Sequence, residues 1–526
     1  MRGPVAIIAN GAQKGHPVES FQPIWDSAAM RIARSAWVDC GLEVFLQMDV
    51  PYGATSSGRL SDDAVQPLLE TGQKDHPCRF LEIGSGSGIF AKLFLDALKA
   101  QAPEIYKSCT YVVTDGSAKM LESQAAHADH IETMVFDAGA PWPDTFEATF
   151  DGVFGSYILD SLPIDILSVG ERGIRQMQTR CTLPAVNEAL EDALKIPGSS
   201  HLAPFLPMAK NLQIQTRHIE APALPYEAAL PPPEGEDTPL VHCHGALACM
   251  ENIAKSLRPR GFAMLSDYGT LSPREASEQI GFQNFGASAA LAVNFHQLDG
   301  WFSKGKTAYL KPDAEEGHLI TRVLYNGDGH DLFELVDLLF GLARQQALRL
   351  PVEAAREMLR ANAFETARQL YGKAMALQPN NWSLTEEVAE LLLLGAKDYN
   401  DAISLAEFGL TLNPLAPNLH RIIAQARYHL GDISGAATAN STCLRLWGAS
   451  PQAHLLQAQI QLKSEDIQGA LISIAKGLAM DKEADQREAL VQLQNEILVE
   501  ISTSAGEELL AEVNRTRALD ELTTRP

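Results

Sequence analysis

The sequence predicts two folds in one chain: a parallel α/β sheet domain up to residue 340, then an all-helical repeat array over 345–526. Three observations carry this reading. In the first part, short apolar runs alternate with helix-length segments, as strands buried on both faces do. One of those runs leads straight into three glycines at alternate positions. After residue 345 no strand pattern survives, and small residues recur with a period near 34.

The bulk composition bounds the function. At 526 residues the chain exceeds one ordinary core, and 46% hydrophobic with 21% charged residues is a globular composition. Acidic residues outnumber basic ones 66 to 42, for a net charge of −24. Such a surface repels phosphate backbones and anionic lipid, so neither nucleic acid nor membrane insertion is expected. Seven cysteines, an odd number with no C-x-x-C pair, point to a reducing compartment. The opening MRGPVAIIANGAQKG reads as an early strand rather than a signal peptide. The apolar run Leu391 to Leu394 is far shorter than the ~20 residues of a membrane helix. These features together predict a cytoplasmic protein.

Taken in order, residues 1–75 are an N-terminal extension expected to pack on the domain that follows. The strands expected within 76–340 are 79–83, 111–115, 133–137, 151–157 and 262–269. The segment 164–250 is the least regular, and its proline-dense acidic stretch 221–239 reads either as a flexible loop or as a lid or substrate-recognition insert.

The chemistry is concentrated in Phe80-Leu-Glu82-Ile-Gly84-Ser-Gly86-Ser-Gly88-Ile-Phe. Glycines here let the backbone turn tightly and let a ligand lie against bare amides at a helix start. The dinucleotide fingerprint needs a third glycine at position 89, which is Ile. Asp115 ends the next expected strand, where a carboxylate can accept both hydroxyls of a ribose. Asp137 ends the third, where an acid can meet an adenine amino group. With Glu82 they make three acidic strand ends in register with one glycine loop.

Glu82 followed by G-x-G-x-G resembles the first motif of class I S-adenosylmethionine-dependent methyltransferases. Tyr111-Val-Val-Thr-Asp115-Gly-Ser117-Ala-Lys-Met-Leu121-Glu-Ser-Gln124 is similar to the second motif of the MidA-like family, which includes the arginine methyltransferase needed for complex I assembly. Leu159-Asp160-Ser161-Leu162-Pro163, Ser266-Asp267-Tyr268-Gly269 and, loosely, 294–302 resemble its later segments. The resemblance covers about 78–305 and implies a Rossmann-like fold with S-adenosyl-L-methionine as cofactor. On this reading Glu82, Gly84, Gly86 and Gly88 surround the methionine portion, Asp115 holds the ribose with Ser117 supporting the turn, and Asp137 faces adenine. Gly155, Ser156 and Tyr157 border the methyl group, and Asp160 orients the acceptor or takes its proton. Asp160 reads equally as a carboxylate stabilising a helix start, and Tyr157 as a ring packed on the cofactor. The family has Asn-Glu where this chain has Ser156-Tyr157, and Tyr157 supplies no charge for a guanidinium.

His242, Cys243, His244 and Cys249 are metal-capable, but no second cluster at zinc spacing accompanies them, and no metal is expected. His296 and Asp299 reach the pocket only through the family resemblance; otherwise they are loop residues.

In the helical half, Ala367, Ala402, Ala436 and Ala470 are spaced by 35, 34 and 34 residues. Phe364, Tyr399, Ile433 and Ile467 precede them by three, and Ala374, Gly409, Cys443 and Gly477 follow by seven. Pro379 and Pro414 close the first two units. Small residues at helical spacing let two helices approach closely. The pattern resembles the tetratricopeptide repeat, with 485–520 as capping helices. The leading expectation is an enzyme that methylates a protein side chain, its repeats recruiting substrate or partner. The alternatives are a cofactor-binding or inactive scaffold and a small-molecule methyltransferase.

Overall fold

The computed structural model describes residues 15–46, 50, 52–72, 76–122, 129–285, 288–317, 319–448, 450–481, 484–503 and 507. Most of the expected N-terminal strand, residues 1–14, lies outside this set. The chain divides into two compact units, Met1–Ser383 and Leu384–Pro526. The first thus runs past residue 345 and takes in the first pair of repeat helices.

The first unit opens with helix α1 (Ala28–Cys40), capped by the Ser27 hydroxyl, which accepts from the Met30 amide at 3.4 Å. A four-residue helix α2 (Glu43–Leu46) and helix α3 (Arg59–Glu70) follow. Strand β1 (Arg79–Ile83) then leads into helix α4 (Ile89–Gln101), followed by β2 (Thr110–Asp115), β3 (Ile131–Val135) and β4 (Phe150–Ser156). Three of these strands begin and end within a residue of expectation. The exception is β3, which stops at Val135, so Asp137 lies two residues beyond the strand it was expected to end.

After β4 the chain leaves the main sheet. The segment 164–250 is the expectation most at odds with the fold, because it forms a second, antiparallel sheet. Strands β5 (Asp165–Gly170) and β6 (Gly173–Leu183) make a hairpin in which Gly170 pairs with Gly173. Strand β7 (Gln213–Glu220) pairs with β6, and β8 (Thr238–His242) with β5. The N-terminal residues His16–Pro17 and Gln22–Pro23 also pair with β6. The sequence hid this sheet because β6 buries Gln176, Thr179 and Thr182 beside Met177 and Cys181. Polar side chains in a buried strand erase the apolar alternation that marks one. The stretch 221–239 connects β7 to β8, and the Tyr226 hydroxyl anchors it by donating to Glu251 at 2.9 Å.

Helix α5 (His244–Ser256) returns the chain to the main sheet through β9 (Leu257–Thr270); β10 (Ala308–Leu310), β11 (Leu319–Tyr325) and helix α6 (His330–Phe340) complete it. The order is β10-β11-β9-β4-β1-β2-β3. Strands β9, β4, β1, β2 and β3 run parallel, while β11 and β10 add antiparallel at one edge. Both faces are buried. Leu81, Ile83, Val112 and Val153 pack with Leu247, Met250 and Ile253 of α5. Phe80, Tyr111, Val113 and Phe154 pack with Leu60, Phe94, Leu98 and Val336 of the opposite layer. Truncating a fully buried ring such as Phe80 to Ala costs about 3–5 kcal/mol.

The repeat helices are α7 (Leu342–Arg360) and α8 (Phe364–Leu377), then α9 (Trp382–Leu391), α10 (Tyr399–Leu412), α11 (Pro417–His429), α12 (Ile433–Leu446), α13 (Pro451–Lys463) and α14 (Ile467–Met480). Phe364, Tyr399, Ile433 and Ile467 each open the second helix of a pair. Ala367, Ala402, Ala436 and Ala470 are fully buried. A Cβ on Gly409 would lie 2.8 Å from Leu419 Cδ1, so a larger residue there displaces that side chain of the next helix. Asp398, Asp432 and Asp466 cap three of these second helices by accepting from the Asp401, Gly435 and Gly469 amides. Of the expected capping region, 487–503 is helical and the rest is largely outside the described residues. No described helix is long and apolar enough to cross a membrane.

Candidate active site

In open α/β sheets ligands bind outside the carboxyl ends of the strands, and the residues singled out from sequence gather there. At the end of β1, Gly84, Gly86 and Gly88 have φ of +66°, +51° and +72°. L-residues with a Cβ rarely adopt this left-handed region. Gly88 precedes α4, whose first amides have no side-chain cap. The turn is pinned by the Ser85 amide donating to Thr114 O at 2.9 Å.

Asp115, the last residue of β2, faces this turn. Its Oδ2 accepts from the Gly86 amide at 3.2 Å and its Oδ1 from the Ser117 amide at 2.9 Å. Burial raises its pKa, and the Ser117 and Gly86 amides pull against that rise. The Ser117, Gly86 and Gly116 amides use only part of a carboxylate's accepting capacity, which leaves room for a further donor. A sugar hydroxyl fits that description. Ser117 is buried; its hydroxyl donates to Val38 O at 2.9 Å, tying the loop after β2 to α1.

Glu82, in β1, is buried. The Tyr111 hydroxyl donates to Glu82 Oε2 at 3.0 Å. Burial pushes the Glu82 carboxyl up to about 8, with the Tyr111 bond opposing and the Asp115 charge adding. Asp137 is exposed, and its Oδ1 accepts from the Gly139 amide at 2.9 Å, closing a local turn.

A second constellation forms where β4 meets β9. A Cβ on Gly155 would lie 3.0 Å from Ile158 Cγ2 and 3.1 Å from Leu265 Cδ2, so a larger residue there requires these side chains to shift. Ser156 pairs with Ser266 across the two strands. Tyr157 holds φ of +54° and its amide donates to Ser266 O at 2.9 Å. Such a backbone in a bulky residue is uncommon and clusters at functional sites. Asp160 lies in the turn Leu159–Ser161, buried, with Oδ1 accepting from the Ser161 hydroxyl at 3.0 Å.

Asp267 completes this corner and is the residue that sequence reasoning left without a role. Its Oδ2 accepts from the Leu159 and Asp160 amides at 2.8 and 3.2 Å, and its Oδ1 from the Tyr268 amide at 2.8 Å. It thereby fixes the turn that carries Asp160. Burial raises the pKa of both acids, and the Asp160 charge raises that of Asp267 further. Burial also raises the Tyr157 hydroxyl, with Asp267 and Asp160 adding to the effect. A carboxyl kept protonated to higher pH in a tyrosine-lined corner can accept or return a proton near neutrality. The available signal was an acid amid the apolar run FAMLSDYG, since a buried charge must have dedicated partners.

The weaker candidates lie elsewhere. His242 Nδ1 meets Gln297 Nε2 and its Nε2 meets Pro225 O, both at 2.7 Å. Cys243 and Cys249 are buried thiols, each pushed up to about 12 by burial. Among the described residues no group of three or more His, Cys, Asp or Glu could hold a metal. Asp299 is bonded by Arg322 Nε at 2.8 Å and the Tyr309 hydroxyl at 2.6 Å. Burial works to raise its carboxyl, and Arg322 outweighs that and holds it low. His296 is exposed.

A five-stranded parallel sheet with antiparallel edge strands, a glycine turn after its first strand and a carboxylate at the end of the next defines the Rossmann-like domain of class I methyltransferases. Residues 60–300 match the model of the family described as "Putative S-adenosyl-L-methionine-dependent methyltransferase". Comparison with curated proteins returns no match. Among solved structures, a superfamily member from Burkholderia thailandensis bound to S-adenosyl-homocysteine is 16% identical over 55% of this chain and 74% of its own, with a TM-score of 0.36. An uncharacterized member of the same superfamily from that organism is 14% identical over 58% and 87%, with a TM-score of 0.37. A thermophilic TPR protein of Thermus thermophilus is 17% identical over 33% and 99%, with a TM-score of 0.27.

Proposed function

We propose that the chain is an S-adenosylmethionine-dependent methyltransferase acting on a protein side chain, with its repeats recruiting the substrate or the complex that holds it. One observation carries the reading: the Asp115 carboxylate, held by backbone amides that include Gly86 and Ser117, faces the glycine turn with accepting capacity left for a sugar hydroxyl. The family match agrees with it.

When bound, S-adenosylmethionine supplies a methyl group activated on a sulfonium. The chain's residues bind and align. Glu82, Gly84, Gly86 and Gly88 form the loop around the methionine portion. Asp115 grips the ribose, with Ser117 fixing its loop, and Asp137 lies toward adenine. Gly155 and Ser156 border the methyl group. Asp160 orients the acceptor and takes its proton, Asp267 positions Asp160, and Tyr157 closes the pocket beside them. Alignment alone contributes about 7–11 kcal/mol in well-oriented systems. Helix pairs that stack small residues form grooves suited to extended peptides, and tethering raises the effective concentration of a bound substrate.

Calorimetry with S-adenosylmethionine on the full chain and on Asp115→Ala tests the cofactor site; absence of binding by the unaltered chain ends the reading. Transfer of labelled methyl into lysate proteins tests the acceptor class. A scaffold reading is favoured by Tyr157 standing where the family has Glu, and it predicts cofactor binding at most, with no labelled species.

A further inference from the structure

The face of the glycine turn that a cofactor would use already has an occupant from this chain. A Cβ on Gly86 would lie 3.0 Å from Phe45 Cζ and 3.3 Å from its Cε2, so the edge of the Phe45 ring is seated on the turn. A Cβ on Gly84 would lie 3.2 Å from Ile158 Cδ1 on the neighbouring side. A ligand needs that same bare backbone, and two groups cannot share van der Waals space.

Phe45 is held from behind by other rings. Its centroid lies 5.5 Å from that of Trp37 and 5.0 Å from that of Tyr52. Tyr52 in turn lies 5.4 Å from Trp382. Trp382 is itself anchored, since its indole N–H donates to Ser56 O at 2.6 Å. Next to it, Asn380 Nδ2 donates to Asp62 Oδ2 at 3.0 Å. A Cβ on Gly58 (φ +91°) would run into the backbone carbonyl of Asn380. The row Phe45–Tyr52–Trp382 thus starts on the glycine turn and ends on the first residue of α9, 337 positions along the chain from Phe45.

We infer that Phe45 is an autoinhibitory plug of the cofactor site, and that Tyr52 and Trp382 hold it in place. The inference rests on the reading that this turn receives a sulfonium nucleoside. Binding then requires the ring to leave Gly86, and apparent affinity is lowered by the fraction of molecules whose ring is away. A ring away in about one molecule in ten lowers it about tenfold. The row also explains an otherwise idle set of aromatics, because neither Phe45 nor Tyr52 belongs to either main core of the sheet.

The test uses the full chain, with S-adenosyl-homocysteine as probe in calorimetry and stopped-flow. Phe45→Ala is expected to bind several-fold more tightly, about tenfold at the occupancy above, with the gain in the association rate. Trp382→Phe keeps a ring but loses the bond to Ser56 O, and is expected to move binding the same way by a smaller factor. Tryptophan emission reports the movement directly. Binding should change it in the unaltered chain, and the change should shrink in Phe45→Ala, where no ring leaves Trp37. Equal or weaker binding by Phe45→Ala, with its far-ultraviolet dichroism intact, overturns the inference and makes Phe45 an ordinary wall of the site. Absence of binding by both the unaltered chain and Phe45→Ala overturns the methyltransferase reading instead.

Discussion

Two regions at the same edge of the sheet handle carboxylates in opposite ways. At the glycine turn the carboxylate of Asp115 is held by backbone amides from loops next to it in the fold. At the β4–β9 corner two acids from segments 107 residues apart, Asp160 and Asp267, are buried within reach of each other's charge. The first arrangement presents lone pairs to a neutral donor such as a sugar hydroxyl. The second stores a proton. A methyl transfer that ends with a proton to remove calls for both, and on the proposed reading the first region binds while the second does chemistry.

The largest effect that would break this division is on turnover. Asp160→Asn should lower methyl transfer by about 10²–10⁴-fold, the usual range for a lost general base, while affinity for S-adenosyl-homocysteine stays within a few-fold. A parallel loss of affinity would place Asp160 in the cofactor site. Next comes Asp115→Ala, which removes two hydrogen bonds to a charged acceptor at about 1.5–3 kcal/mol each. Calorimetry should register a loss of at least about a hundredfold in affinity. Affinity that survives would mean that the sugar is held elsewhere.

The stored proton has a thermodynamic signature. Asp160 and Asp267 have raised pKa values in the folded chain, so folding favours their protonated forms. Their contribution to stability is therefore complete below the unfolded carboxyl value of about 3.9 and is lost as pH rises through the raised values. Each proton released steepens the decline by about 1.4 kcal/mol per pH unit. Asp267→Asn should flatten the decline in urea unfolding series run from pH 4 to 8. An unchanged slope would assign the proton to another group, with Glu82, whose carboxyl is pushed up to about 8, the first alternative. The smallest effect serves as a contrast, because it concerns an acid with only a local task. Asp432→Ala removes the cap on Gly435 N and should cost about 1 kcal/mol. A pH-dependent cost comparable to that of the corner acids would blur the comparison.

The chain alone determined what depends on neighbours in sequence. The left-handed turn was legible because three glycines at alternate positions after an apolar strand have few other uses, and all three have positive φ. The repeat helices were legible because Ala367, Ala402, Ala436 and Ala470 keep helical spacing and are fully buried. Tertiary structure decided the rest. Polar side chains in β6 find their partners only once the second sheet is assembled, so no periodicity announced that sheet. The strand β3 ends at Val135 because its pairing with β2 stops there, at Asp115, which leaves Asp137 in a turn. Asp267 acquires a task only when β9 lies beside β4 and its carboxylate reaches the amides of Leu159 and Asp160. Phe45 meets Gly86 across 41 positions and Tyr52 meets Trp382 across 330. Backbone conformation and helical spacing are local properties and can be written in a short stretch of residues. Hydrogen bonds and ring contacts between distant segments are made by the fold, and no short stretch carries them.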